Sequence, residues 1–266
     1  VSVLEAIGSN IIDQLAYVGS LTNQFWSALG AFPRMVPFVG RRGRWRSAMK
    51  QMSAIGVDAL PMVAIVAACG GSILAIQSAS ELSQFGAVQL VVDIVVIAFT
   101  RELGPLLTAI VVSGRSGSAI SAEIGTMVVT EEIDALRTMA VDPIELVLAP
   151  KYLAALIVVP CLTVISNLFG ILAGAVFMYF KMKMTLPIYL RYVANSIVLS
   201  DVFTGLVKSL VFATIIVHVG CMEGIRVKGG PEAVGKSATS AVVKSTLLVI
   251  FADLFITAIF YMASAK

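Results

Sequence analysis

Tyr152-Leu-Ala-Ala-Leu-Ile-Val-Val-Pro-Cys-Leu-Thr-Val-Ile-Ser-Asn-Leu-Phe-Gly-Ile-Leu-Ala-Gly-Ala-Val-Phe-Met-Tyr-Phe180 runs without one charged side chain. About 20 apolar residues suffice to carry a helix across the hydrocarbon core of a bilayer. This stretch therefore reads as a membrane span. Four more segments of the same kind surround it: about Val57–Ala79, Ala87–Ser113, Ser196–Cys221 and Ala241–Ala263. The whole chain agrees with them. Of 266 residues, 58% are apolar and 13% charged, with mean hydropathy +0.95. A soluble domain averages about 45–50% apolar and about 25% charged. Too little polar surface remains to cover a water-soluble globule, which excludes a soluble enzyme, a disordered tail and a fibre. The fold class expected is all-α and integral to the membrane, with five transmembrane helices.

Outward from these spans, residues 1–32 carry only Glu5 and Asp13 as charges. Ile7, Ile11, Leu15, Val18, Phe25 and Leu29 fall on one helical face, with Trp26 as an aromatic anchor. An N-terminal interfacial helix is expected there. A sixth span is the alternative, but it would turn many polar residues toward lipid. A basic n-region and a small-residue cleavage site are missing, so no removable signal peptide is expected. Residues 33–54 hold Arg34, Arg41, Arg42, Arg44, Arg46 and Lys50. Beside a spanning helix this run reads as a cytoplasmic collar on anionic lipid, in preference to a nucleic-acid site. With the collar inside, 13 of the 19 Lys and Arg residues lie on the inner side and four on the outer side. The positive-inside rule then puts the N-terminus in the cytoplasm and the C-terminus outside. Cys69, Cys161 and Cys221 have no metal-like spacing and read as packing residues.

Five charges stand where lipid would be the solvent. Asp93, Arg101 and Glu102 fall in the second span, Lys208 in the fourth and Asp253 in the fifth. An ionised group at the bilayer centre costs about 2.5–3.5 kcal/mol on insertion scales, so such groups pair with one another or line a wet cavity. Asp93 and Arg101, eight residues apart, share a helix face. Arg101 and Glu102 are sequence neighbours, which do not face each other on an α-helix, so both need partners on other helices or on a second subunit. Lys208 and Asp253 lie at similar depth on consecutive spans and are placed to pair. Two roles fit that pair, a structural ion pair orienting the bundle or a lining of the substrate path; for Arg101 and Glu102 the path is favoured.

Between the second and third spans, Gly114–Pro150 is expected to be a cytoplasmic connection. Small residues dominate its first part, which permits close helix packing. Thr130 reads as an N-cap, and Glu131, Glu132 and Asp134 complement the dipole of the short helix that follows. Ile133 and Leu136 give that helix an apolar face. The next helix would start with Asp142 as cap and Pro143 at its first position. The short helix is either a solvated loop helix or a docking element for a soluble partner. Gly170 and Gly174 form G-x-x-x-G, a close contact within the protomer or at a dimer seam.

Four stretches together are specific: Arg101-Glu-Leu-Gly-Pro-Leu-Leu-Thr-Ala-Ile, Gly114-Arg-Ser-Gly-Ser-Ala-Ile-Ser-Ala-Glu-Ile-Gly-Thr-Met, Thr130-Glu-Glu-Ile-Asp-Ala-Leu and Val141-Asp-Pro. They closely resemble the MlaE family, permease subunits of ABC transporters associated with MCE proteins. Gly224-Ile-Arg-Val-Lys-Gly-Gly-Pro-Glu-Ala-Val-Gly resembles that family's last cytoplasmic loop. The resemblance implies a permease domain over 55–266, working as a homodimer in the bacterial inner membrane with its C-terminus periplasmic. It implies that Thr130, Glu131, Glu132, Ile133, Asp134 and Leu136 form a coupling helix seated on a separate ABC ATPase. It also implies MCE-domain periplasmic subunits, a STAS-domain cytoplasmic partner, and a phospholipid substrate moved between inner and outer membranes to maintain outer-membrane lipid asymmetry. Arg101 and Glu102 match the family's signature near the lipid cavity.

No cofactor is expected in this chain, because ATP and Mg would sit on the partner ATPase. Gly230-Pro-Glu-Ala-Val-Gly-Lys-Ser237 does match a phosphate-loop pattern, but it lacks room for the surrounding α/β domain and reads as coincidence. His218 is the only histidine, which excludes His-based triads and clusters within one chain. The rival reading is an autonomous secondary transporter that uses Asp93, Arg101, Lys208 and Asp253 as an ion relay. A passive scaffold is a further rival, and it leaves the midplane charges unexplained.

Overall fold

The computed structural model describes residues 42–85 and 87–264, which form helices joined by turns. The expected interfacial helix over 1–32 and the start of the basic collar lie outside the described residues. Ten α-helices follow in order: α1 Arg42–Met52, α2 Leu60–Leu82, α3 Val88–Ala98, α4 Gly104–Val112, α5 Ser118–Val129, α6 Glu132–Thr138, α7 Ala149–Met182, α8 Leu186–Ser196, α9 Leu199–Ile225 and α10 Pro231–Ser264. Single wide turns of π-type join several of them without a break: Ser53–Val57, Phe99–Leu103, Ser113–Gly117 and Ile144–Leu148. Five continuous stretches are therefore long and apolar enough to cross a membrane: Arg46–Phe85, Gln89–Val129, Leu146–Met182, Leu199–Ile225 and Pro231–Met262.

Three of the wide turns stand just before a proline: Pro61, Pro105 and Pro150. Proline has no N–H to give the carbonyl four residues back, and its ring crowds that carbonyl. Widening the preceding turn relieves both problems while the helix continues.

The spans overrun their expected limits. Residues 114–129, expected as connection, continue the second span as helix. Their small, weakly apolar side chains are helical because they pack: Ile120 and Ile124 are buried, and Ser121 shares a 2.7 Å hydrogen bond with Ser237 of α10. The collar from Arg42 onward is likewise helix that runs into the first span. Ser196, expected to open the fourth span, instead ends α8. The short helix α8 was not anticipated.

Two apolar clusters hold the bundle. One gathers Phe212, Ile216, Tyr152, Val159 and Ile124; the other gathers Phe99, Val92, Val95, Met178 and Tyr189. Water exclusion does not drive helices together inside lipid, so close packing and hydrogen bonds must do it. Gly71 and Gly170 show how. A Cβ on Gly71 would stand 2.0 Å from the carbonyl oxygen of Gly170, so α2 and α7 touch backbone to backbone. Gly174 faces Tyr189, Val95 and Ala75. The G-x-x-x-G pair thus packs within the protomer. At the end remote from α6, the Tyr189 hydroxyl donates to the Ile171 carbonyl at 2.9 Å. Burial pushes that phenol up to about 12, so the donor persists at physiological pH.

Candidate functional site: an intramembrane charge cluster

Pro105 sets the site's geometry. The wide turn ahead of it, Phe99–Leu103, contains both Arg101 and Glu102. On a regular helix adjacent side chains diverge. Here the wider turn narrows that divergence, and Arg101 Nε comes within 3.9 Å of Glu102 Oε1. The expectation that the two point apart is thereby corrected. Opposite this turn, Gly205 lets α9 approach: a Cβ there would lie 2.1 Å from the Thr100 carbonyl oxygen. That approach carries Lys208 directly to Glu102.

Lys208 is 0% exposed. Its ammonium hydrogen-bonds the Glu102 carboxylate, donates to Thr257 Oγ1 at 2.7 Å and lies 2.8 Å from Asp253 Oδ1. An ammonium has three donors; Glu102 and Thr257 take hydrogen bonds here, while Asp253 Oδ1 stands at ion-pair distance without one. The Thr257 hydroxyl gives its own proton to the Asp253 carbonyl at 2.8 Å. The pair inferred from matching depth, Lys208 with Asp253, is present, and Glu102 joins it. Two carboxylates at contact distance offset one buried cation, and Arg101 beside Glu102 supplies the second positive charge that balances them.

Arg101 differs. Its side chain is 31% exposed, and its two ion pairs, to Glu102 and to Asp201 Oδ1 at 4.0 Å, are at the limit of contact. Among the described residues its guanidinium makes no hydrogen bond. A fork of five donors is thus left partly exposed and without a hydrogen-bond acceptor among the described residues. Asp201 was missed from the sequence. It precedes Lys208 by seven residues, two helical turns, and that spacing is the signal that places both on one face.

Asp93 does not join the cluster. Eight residues carry it about 12 Å along the helix from Arg101. There it accepts a hydrogen bond from Ser196 Oγ and ties α3 to α8. Other polar pairs not foreseen lie nearer α6. Lys151, 1% exposed, meets Glu123 at 2.5 Å, Lys244 meets Glu223 at 2.9 Å, and the Tyr152 hydroxyl meets His218 Nδ1 at 2.7 Å.

The α6 region corrects one expectation. Thr130 is not an N-cap: it ends α5, donating to the Thr126 carbonyl at 3.0 Å. The residue preceding α6 is Glu131, left-handed at φ 61°. Ile133 is buried and Leu136 half-buried, while Glu132 and Asp134 are exposed, Asp134 pairing with Arg137 at 3.0 Å. Asp142 does cap the next helix, accepting from the Ile144 amide at 2.9 Å. Gly230–Ser237 enters α10 directly at Pro231: Lys236 pairs with Glu232 on the helix surface, and Ser237 is buried against the Glu223 carbonyl. A helix occupies the place where a phosphate loop would need an open turn.

Comparison with known proteins agrees with this architecture. The family model described as Permease MlaE matches residues 48–259. A protein of Rickettsia felis named as a probable ABC transporter permease is 34% identical over 260 residues, 98% of each chain. A probable ABC transporter permease of Synechocystis is 39% identical over 218 residues, covering 82% of each. The Arabidopsis thaliana chloroplast protein named trigalactosyldiacylglycerol 1 is 32% identical over 217 residues, 82% of this chain and 62% of that one. A multi-pass bundle matched over most of its length by that model and by these permeases belongs to the MlaE permease family.

Proposed function

We propose that this chain is the membrane-spanning subunit of an ABC transporter that moves phospholipid between the inner and outer membranes and so maintains outer-membrane lipid asymmetry. One observation carries the reading: within a single buried cluster, Lys208 is enclosed by acceptors while the Arg101 guanidinium is left without a close partner. A phospholipid offers a phosphate anion and two apolar tails. Arg101 suits the phosphate, because a guanidinium matches its oxygens two at a time. Lys208 acts as the lock that holds α9 and α10 against the Arg101 turn. Glu102 shares that lock and limits how deeply an anion can enter. A relative named for a galactosylated diacylglycerol supports a lipid cargo.

The chain's part is to bind and to move; hydrolysis of ATP belongs to a separate ATPase subunit carrying its own ATP and Mg. The acidic, exposed side of α6 is the seat for that subunit, with Ile133 fixing α6 to the bundle. The charge bias supports a cytoplasmic α6 and a C-terminus on the opposite side, which the family resemblance makes the periplasmic side of the inner membrane. The family resemblance supplies the remaining partners: a second copy of this chain, MCE-domain subunits on the periplasmic side and a STAS-domain protein beside the ATPase.

The test is transfer of a fluorescent phospholipid between vesicles by the reconstituted complex. Arg101→Gln is expected to abolish ATP-driven transfer while the melting temperature of the permease stays unchanged. Full transfer by Arg101→Gln rejects the phosphate role. Gradient-driven transfer by this chain alone rejects the ABC reading.

A further inference from the structure

The helix α8, Leu186–Ser196, has no role in the reading above. It has 11 residues, about 16 Å in length, whereas a span needs about 20 residues. Both of its flanks are extended, Thr185 on one side and Ile197 and Val198 on the other, so the chain leaves the axis of α7 before α8 and regains a span axis after it. It sits at the end of the bundle remote from α6.

Its two sides are unlike. Tyr189 and Val193 are buried against the bundle, and Ser196 is held by Asp93 of α3. At 3.6 residues per turn, Leu186, Leu190 and Ala194 fall on one flank, and Leu186 and Leu190 are 51% and 45% exposed. Arg191 and Asn195 fall together, farther round and away from the buried side, with the 49% exposed Ile188 beside Asn195, and Arg191 makes no ion pair among the described residues. The apolar flank continues the lateral surface of the bundle, where Phe180, Leu199 and Phe203 are all strongly exposed. Apolar side chains exposed along a membrane-spanning helix are the kind of surface that acyl chains solvate. Tyr179 and Phe180, ring centroids 5.4 Å apart, stand near the end of α7, and tyrosine is enriched where a span leaves the acyl chains for the headgroups. Lys181 and Lys183 follow within one turn.

We propose that α8 lies in the membrane surface on the side opposite α6, its occupant being the bilayer itself. Leu186, Leu190 and Ala194 sit in the acyl boundary, and Arg191 stands at the level of the lipid phosphates. A helix that is too short to cross, apolar on one flank and cationic beside it, has its lowest free energy in that plane. The Ser196–Asp93 hydrogen bond then fastens the start of the second span, the helix that carries Arg101 and Glu102, to an element riding on that leaflet. The inference does not depend on the cargo.

The experiment uses the full chain with Trp26→Phe and Trp45→Phe, reconstituted in vesicles of phosphatidylcholine and phosphatidylglycerol. One tryptophan is returned at a time, as Leu190→Trp or Arg191→Trp, and quenched by lipid brominated near the top of its acyl chains or by aqueous acrylamide. Leu190→Trp is expected to be quenched several-fold more by the brominated lipid, and Arg191→Trp several-fold more by acrylamide. Equal bromolipid quenching at the two positions, or none at either, overturns the proposal, the second outcome pointing to a protein cover. If Leu190→Trp fails to insert, Ala194→Trp on the same flank answers the same question. Loss of transfer in the Arg101→Gln complex would leave this result untouched.

Discussion

Lys208 is accommodated at zero exposure because Glu102, Asp253 and Thr257 close around it. Breaking a buried ion cluster by removing one side costs more than the cluster contributes, since the remaining charges are stranded. Lys208→Met is therefore expected to destabilise the fold by about 3–5 kcal/mol, read from thermal melting in detergent. Adding Glu102→Gln and Asp253→Asn should restore most of the loss, and failure to do so would show that packing of the lysine stem dominates. Two glycines give a sharper contrast. Gly71→Ala would push a Cβ into the Gly170 backbone, with no flexible side chain to yield. A cost of about 1–3 kcal/mol is expected from such overpacking. Gly235 lies in α10 with nothing within 4 Å of its missing Cβ. There, alanine should gain up to about 1 kcal/mol through helix propensity. Equilibrium unfolding of both variants in mixed micelles checks the signs.

Among the elements, α6 is held by unusual backbone. Glu131 at φ 61° and Ala140 at φ 56° are left-handed residues on either side of a helix of only seven residues. Left-handed backbone costs a residue with a Cβ about 1–2 kcal/mol, and a β-branched side chain fits it worse still. These two positions turn the chain sharply out of α5 and back toward α7, so that the acidic face of α6 stands clear. Ala140→Val is expected to lower hydrogen-exchange protection of the α6 amides while the five spans stay protected. Unchanged protection would show that α6 is held by Ile133 alone. A short helix with acids at its start is legible in the sequence, although Glu131 stands just before the helix and not within it. The sequence misassigns Thr130, because a threonine before two glutamates satisfies the N-cap pattern equally well when it closes the preceding helix. Hydrogen bonding to Thr126 decides between those roles, and a tertiary turn at Glu131 permits it.

At the scale of the whole molecule, the proposed function has force entering through α6, whose exposed acids contrast with the apolar lateral faces of the spans. In the assembled complex, Glu131→Lys together with Asp134→Lys is expected to lose the co-purifying ATPase, with the melting temperature of the permease unchanged. Retention of the ATPase would move the docking surface elsewhere. The sequence by itself determined five segments apolar enough to cross a membrane, each of which is a long helix among the described residues, because hydropathy summed over about 20 residues outweighs any local detail. It also showed that Lys208 and Asp253 could pair, because they lie at similar depth and charges in lipid have few alternatives to one another. Only the tertiary structure decided which cation is enclosed and which is open, and that the second span extends to Val129. Both depend on how closely neighbouring helices approach: at Gly205, where α9 reaches the Phe99–Leu103 turn, and at Ser121 and Ser237, where a polar stretch becomes helix by finding partners. Such approach distances are set by pairs of residues far apart in the chain, and no local pattern encodes them.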